Sequence, residues 1–184
     1  MKINKDKAAL LVVDMQPKVL ELIPGYAETL KNCQWLVDLC RDLAVPVQFS
    51  AHYPRGIGPV SPALLERVES PAIAEKAFFS CIEDGCLEGS AVLEREQIVV
   101  CGIEAHACVM LTALDLAASG KQVFVVVDAI ASRSEIDKDI ALQRMAASGI
   151  VPGIVLVTRE MVFFELLRQA GTPEFKACSK KYLQ

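Results

Sequence analysis

Only two histidines, one tryptophan and 6% aromatic residues occur in the 184-residue sequence, and several signatures that would assign a function at sight are missing. Its seven cysteines include no Cys-x-x-Cys pair and no cysteine–histidine spacing of the zinc-binding kind, which removes thioredoxin-type redox motifs and zinc ribbons. An odd number of thiols is the pattern of free cysteines packed as small apolar groups in a reducing compartment. There is no basic stripe: 19 Lys and Arg stand against 23 Asp and Glu, a net charge of −4, so the electrostatic footprint of a nucleic-acid binder is absent. No apolar run approaches the roughly 20 residues that a bilayer-spanning helix needs. The stretch Ala8–Val13, after Lys2, Lys5 and Lys7, is too short for a signal-peptide core and ends on Asp14 without a small-residue cleavage site. Repeats, low-complexity tracts and linkers are missing too. What these absences leave is one cytoplasmic domain, residues 1–184, with a small-molecule substrate and neither nucleic acid nor membrane as partner.

The chain is rich in apolar residues, 53% of the total, as expected of strands buried on both faces, whose apolar runs are continuous. Five such runs recur: Ala8–Val13, Val45–Ser50, Ile98–Cys101, Val123–Val127 and Ile154–Val157. Between them the period changes to that of a helix. Over Tyr26–Ala44, the residues Leu30, Cys33, Val37, Cys40 and Ala44 form one apolar stripe, so Cys33 and Cys40 read as core. Further helices are predicted near Leu87–Arg95, Ala105–Ser119, Glu135–Ser148 and Met161–Ala170, with Gly120 and Gly149 as stops. Strand and helix in alternation predict an α/β fold with a parallel sheet between two helical layers. Such sheets bind ligands at the carboxyl ends of their strands, and those ends are the positions to inspect.

Asp14 follows the first run. A carboxylate there can be partly desolvated and suited to proton transfer, or it can cap the next turn. Cys108 opens the helix that follows the run Ile98–Cys101, where unpaired backbone N–H groups and the helix dipole favour a thiolate; the bland alternative is a structural cysteine. Cys101, inside the run itself, reads as buried and inert. Lys76 lies in a mostly apolar stretch. It is either a buried ammonium in need of an anionic partner or a surface lysine whose stem lies along apolar surface. Together, thiol, carboxylate and ammonium make a coherent set for nucleophilic attack on a carbonyl-like carbon, the carboxylate taking and returning the proton.

The segments LLVVDMQ (10–16), EKAFFS (75–80), CGIEAHAC (101–108) and VDAIASRS (127–134) resemble, in order and spacing, the isochorismatase-like cysteine hydrolases, a family that includes nicotinamidases and other small amidases. YPRGIG (53–58) and DAIASRS (128–134) suggest the branch of isochorismatase domain-containing proteins. The resemblance covers nearly the whole chain. It implies a six-stranded, mostly parallel sheet with helices on both faces and a triad of Asp14, Lys76 and Cys108. It also implies a non-proline cis peptide at Ile103–Glu104 that aims the Glu104 and Cys108 N–H groups into an oxyanion hole. Assembly into a homo-oligomer, dimer or tetramer, is implied as well, and the apolar segment Met161–Leu167 suits such an interface.

Two departures narrow the expectation. The Asp-x-His-x-x-His metal cluster of nicotinamidases is not matched in residues 48–58, which offer only His52, so no metal and no organic cofactor is expected. Isochorismatases resemble residues 102–107 but carry glycine where Cys108 stands. The thiol therefore points to acyl chemistry on a small amide-type C–N bond through a thioester. Gln16, Tyr53, His106 and Ala107 are the expected pocket residues, with Ile103 on its wall; His106 equally suits a hydrogen-bonded structural role. The alternatives are a thiol-free vinyl-ether hydrolase that depends on Asp14, and an idle pocket on an oligomeric binding protein.

Overall fold

The computed structural model describes residues 1–183. Six strands form one sheet: β1 (Ala8–Val13), β2 (Val47–His52), β3 (Ala72–Lys76), β4 (Gln97–Ile103), β5 (Gln122–Ala131) and β6 (Ile154–Val157). Their order is β3-β2-β1-β4-β5-β6, and every pairing is parallel. Five helices of eight or more residues pack on it: α1 (Tyr26–Asp42), α2 (Met110–Ala118), α3 (Glu135–Ala146), α4 (Arg159–Leu167) and α5 (Pro173–Tyr182). This is the three-layer α/β sandwich that the alternating pattern predicts.

Apolar residues alternate between two cores because successive side chains of a strand leave on opposite faces. Ala8, Leu10 and Val12 of β1 enter the core beneath α1, α4 and α5, with Leu36, Phe49, Phe124 and Phe163. Ala9, Leu11 and Val13 enter the other, beneath α2 and α3, with Val100, Leu116, Val125 and Met145. All six residues of β1 are fully buried, which is why its sequence reads as an unbroken apolar run. Each such leucine or valine contributes about 1.5–3 kcal/mol by leaving water.

Two sequence expectations are corrected. The stripe on α1 buries Leu36 and Leu39 beside Cys33, Val37 and Cys40, while Ala44 lies beyond the helix, exposed and at φ 56°. And β3 is a strand where only Lys76 drew attention. It is an edge strand with just Ala74 and Lys76 buried, too short and too polar to stand out as an apolar run.

From β1 the chain runs outward on one side to β2 and β3, and on the other to β4, β5 and β6. The reversal falls between β1 and β4, and the crevice at their carboxyl ends is where such sheets bind ligands. Close approach of the two ends requires Gly102, at φ 133°: a Cβ there would stand 2.1 Å from the Val13 carbonyl oxygen. Among the described residues, no helix is long and apolar enough to cross a membrane.

Candidate active site

The polypeptide turns sharply as it leaves the strands at this crevice. Asp14 after β1, Tyr53 after β2 and Glu104 after β4 all adopt positive φ, at 52°, 41° and 58°. Such conformations cost about 1–3 kcal/mol each in residues other than glycine and gather where function over-determines the backbone. Here they turn side chains that would otherwise follow the pleat back toward the top of the sheet.

Asp14 is 5% exposed, and both its carboxylate oxygens are engaged. Oδ1 accepts from Ser50 Oγ at 2.6 Å, and Oδ2 accepts from Lys76 Nζ at 2.6 Å. Lys76, at the end of β3, is also buried and donates a second bond to the Phe78 carbonyl at 3.3 Å. The buried-ammonium reading of Lys76 is therefore the one realised, and its partner is Asp14. Cys108 lies in a wide π-helical turn, Ala105–Val109, that runs into α2. Its Sγ, an Asp14 carboxylate oxygen and a ring nitrogen of His52 lie within 4.8 Å of one another. Between them is a cavity of about 40 Å³ lined by Asp14, Gln16, Val19, His52, Ile57, Ile103, Glu104 and Cys108.

Burial and the neighbouring Asp14 charge push the Cys108 thiol up to about 12, and Lys76 only partly opposes them. Burial first, and the Asp14 charge second, thus favour the thiol over the thiolate expected from the helix start. A thiol held in its protonated form beside the Lys76-paired Asp14 side chain is the starting arrangement for general-base activation. Burial by itself would lower Lys76, but the Asp14 and Cys108 charges and the Asp14 hydrogen bond outweigh it and hold the ammonium above its ordinary value.

The remaining sequence candidates divide. Gln16, Ile103 and Glu104 reach the cavity wall. Gln16 is fully buried and spends its amide on backbone: Nε2 donates to the His52 and Gly58 carbonyls at 3.0 and 2.5 Å, and Oε1 accepts from His52 N–H at 2.9 Å. It is the clamp on the loop after β2. Tyr53 is corrected: it is 56% exposed and lines a separate, open groove with Arg55, Glu75 and Asp84. His106 is corrected as well. Its Nδ1 meets Ser132 Oγ at 3.0 Å and Glu104 Oε2 at 3.3 Å, and it faces a different cavity with Met110, Ile140 and Arg144. Ala107 is not among the residues of the cavity wall. The Ile103–Glu104 peptide is trans; among the described residues the cis bond is Val151–Pro152, and the turn into Cys108 is made by the positive φ of Glu104. Ser50 did not stand out in the sequence, and His52 was weighed there only as a lone metal ligand. Both stand at the end of the second strand, where the strand-end rule applied to Val45–Ser50 would have found them.

Asp14, His52 and Cys108 are also the residues that could hold a cation, one donor atom apiece. Two features oppose it: the Lys76 ammonium already occupies Asp14 Oδ2, and the thiol holds its proton.

Fold and site together define a parallel α/β protein whose switch point carries a buried carboxylate–ammonium pair and a protonated thiol. Comparison with known proteins places it further: the family model described as the isochorismatase domain matches residues 8–154, and the chain belongs to that family, whose members are generally hydrolases. Isochorismatase domain-containing protein 2 of Danio rerio is 33% identical over 180 residues, covering 97% of this chain and 88% of its own. Isochorismatase domain-containing protein 2A of Mus musculus is 34% identical over 179 residues, covering 97% and 84%. Among solved structures, the MAR1 ribonuclease of Caenorhabditis elegans has a TM-score of 0.87 at 33% identity and covers 100% of this chain and 93% of its own. YcaC of Pseudomonas aeruginosa, solved with hexane-2,5-diol and covalent acrylamide, has a TM-score of 0.86 at 26% identity, covering 99% and 92%.

Proposed function

We propose that this chain is a cysteine hydrolase of small amides. The observation that carries the reading is the buried Lys76–Asp14 pair, 2.6 Å apart, with the Cys108 thiol within 4.8 Å of the same carboxylate at the sheet's switch point. Asp14 takes the thiol proton as sulfur bonds to the carbonyl carbon, and the carbonyl oxygen becomes an oxyanion facing the Cys108 N–H. Collapse breaks the C–N bond, and Asp14 gives its proton to the departing nitrogen. Water then adds to the thioester and passes a proton to Asp14; the C–S bond breaks, sulfur recovers that proton, and the acid leaves. Lys76 pairs with the Asp14 side chain and holds it in place between these transfers.

A cavity of about 40 Å³ admits about three water-sized groups, the size of a carboxamide and far smaller than a nucleotide. That limit favours amide cleavage over the phosphodiester chemistry implied by the name of the C. elegans relative. Acrylamide, bound covalently in the P. aeruginosa protein, is an electrophile that nucleophiles add to at its vinyl carbon, which supports a reactive nucleophile in that relative. Homo-oligomerisation belongs to the same reading, supported by Met161 and Phe164, half-exposed on α4.

The test is ammonia release from a panel of small primary amides. Wild type is expected to turn over at least one, and Cys108→Ala to lose at least about a thousandfold of that rate with its thermal unfolding unchanged. Undiminished ammonia release by Cys108→Ala would sink the thiol mechanism. Activity on a vinyl ether that survives in Cys108→Ala but not in Asp14→Asn would select the thiol-free alternative.

A further inference from the structure

His52 lines the cavity beside Asp14 and Cys108, and the mechanism gives it no task. Its backbone is fixed at both ends of the peptide unit by Gln16, which accepts from its N–H at 2.9 Å and donates to its carbonyl at 3.0 Å. Its ring is fixed by stacking on Phe79, with centroids 5.2 Å apart and planes 24° from parallel. A side chain held this firmly still presents a buried Nδ1 with no hydrogen-bond partner, one of three such atoms among the described residues. Another of the three, Glu104 Oε2, already has His106 Nδ1 at 3.3 Å and shares its carboxylate with Arg133. Nothing comparable meets His52 Nδ1. A buried nitrogen without a partner is costly, and a bound ligand that donates to it removes the cost.

We infer that His52 is the substrate-positioning residue of this site: Nδ1 accepts a hydrogen bond from the N–H of the scissile amide and selects primary amides over isosteric carbonyl compounds. The inference rests on the thiol-hydrolase reading and deepens it. A ring nitrogen of His52 lies within 4.8 Å of an Asp14 carboxylate oxygen and of Cys108 Sγ, and in the tautomer that carries its proton on Nε2, Nδ1 is the acceptor. An amide whose carbonyl carbon lies against Sγ then has its nitrogen between Nδ1 and the Asp14 carboxylate, the group that must protonate it on departure. A ketone of the same shape has a methyl group there and leaves Nδ1 unpaired. Sites built to bond an N–H reject the analogue that lacks it for this reason, and more strongly than an apolar wall could.

Chloroacetamide and chloroacetone differ only by NH2 against CH3 and both alkylate thiols, so their rates at Cys108, mapped by mass spectrometry and divided by their rates with free cysteine, isolate the contribution of the N–H. Wild type is expected to prefer the amide. His52→Phe keeps the stack on Phe79 but removes Nδ1, and should lower that preference roughly tenfold, the worth of one hydrogen bond. His52→Asn returns a polar atom at the position of Nδ1 and should recover most of it. A preference unchanged in His52→Phe, with Cys108 still reacting, overturns the role of His52 and leaves the hydrolase reading standing. If Cys108 reacts with neither reagent in wild type, the thiol mechanism falls, and this inference with it.

Discussion

The middle and the carboxyl end of the same two strands obey different rules. Through Leu10 and Leu11 of β1 and Val99 and Val100 of β4, all at 0–1% exposure, the chain is apolar, regularly paired and close-packed on both faces. A few residues further along, the same strands end in Asp14 and Glu104 at positive φ, a buried ion pair, a protonated thiol and an imidazole nitrogen without a partner. The middle lowers the free energy of the fold, and the end spends part of that gain on strain and desolvation. Stability and chemistry are separated along a strand by a residue or two, and substitutions should respect the boundary.

The sharpest test of that separation is at Asp14. Asp14→Asn leaves the Lys76 ammonium buried without a counter-charge and should cost roughly 3–5 kcal/mol in urea denaturation as well as the activity. Adding Lys76→Met to Asp14→Leu removes both charges and should recover most of the stability with none of the chemistry. A double variant as unstable as Asp14→Asn would mean that the pair itself holds the fold. Next is the middle of the strand, where Leu10→Ala opens a cavity under α1 and should cost about 2–5 kcal/mol. Under conditions where that variant stays folded, its Cys108 should keep the amide preference of wild type. A change there would show that the core and the site are coupled.

The smallest effect is on the pH dependence of stability. The Cys108 thiol is held up to about 12 from an ordinary value of 9.0. Folding therefore gains from this group fully below pH 9, where both folded and unfolded chains keep the proton. The gain drains away as pH rises from about 9 toward about 12, because the unfolded chain releases its proton first. Urea midpoints of wild type and Cys108→Ala, followed from pH 8 to pH 10.5, should show wild type losing ground to the variant. Parallel curves would mean the thiol is not held protonated.

Much of the fold could be read from the chain because a strand buried on both faces must be apolar throughout. Ala8–Val13 was delimited in this way, and Ile154–Val157, an edge strand only partly buried, by its unbroken apolar run; β3, an edge strand that alternates with exposed and charged residues, was not. Asp14 stood out because it directly follows an apolar run, Cys108 because it opens the helix after one, and Lys76 because a lone charge in apolar surroundings needs a partner. The misplaced residues, Tyr53, His106 and Ala107, neighbour the right positions in sequence but point elsewhere. One residue of offset on a turn reverses a side chain's direction, and no spacing rule records which turns take positive φ.

Residue types in order thus determined the layers of this protein and its parallel sheet, and singled out Asp14, Lys76 and Cys108, since burial and period act locally on the chain. Only the tertiary structure decided that Asp14 and Lys76, 62 positions apart, share a proton-sized gap, that the thiol rests protonated, and that His52 stands over it. Those outcomes depend on distances set by strand order β3-β2-β1-β4 and on desolvation by every neighbour at once, quantities that exist only after the chain has folded.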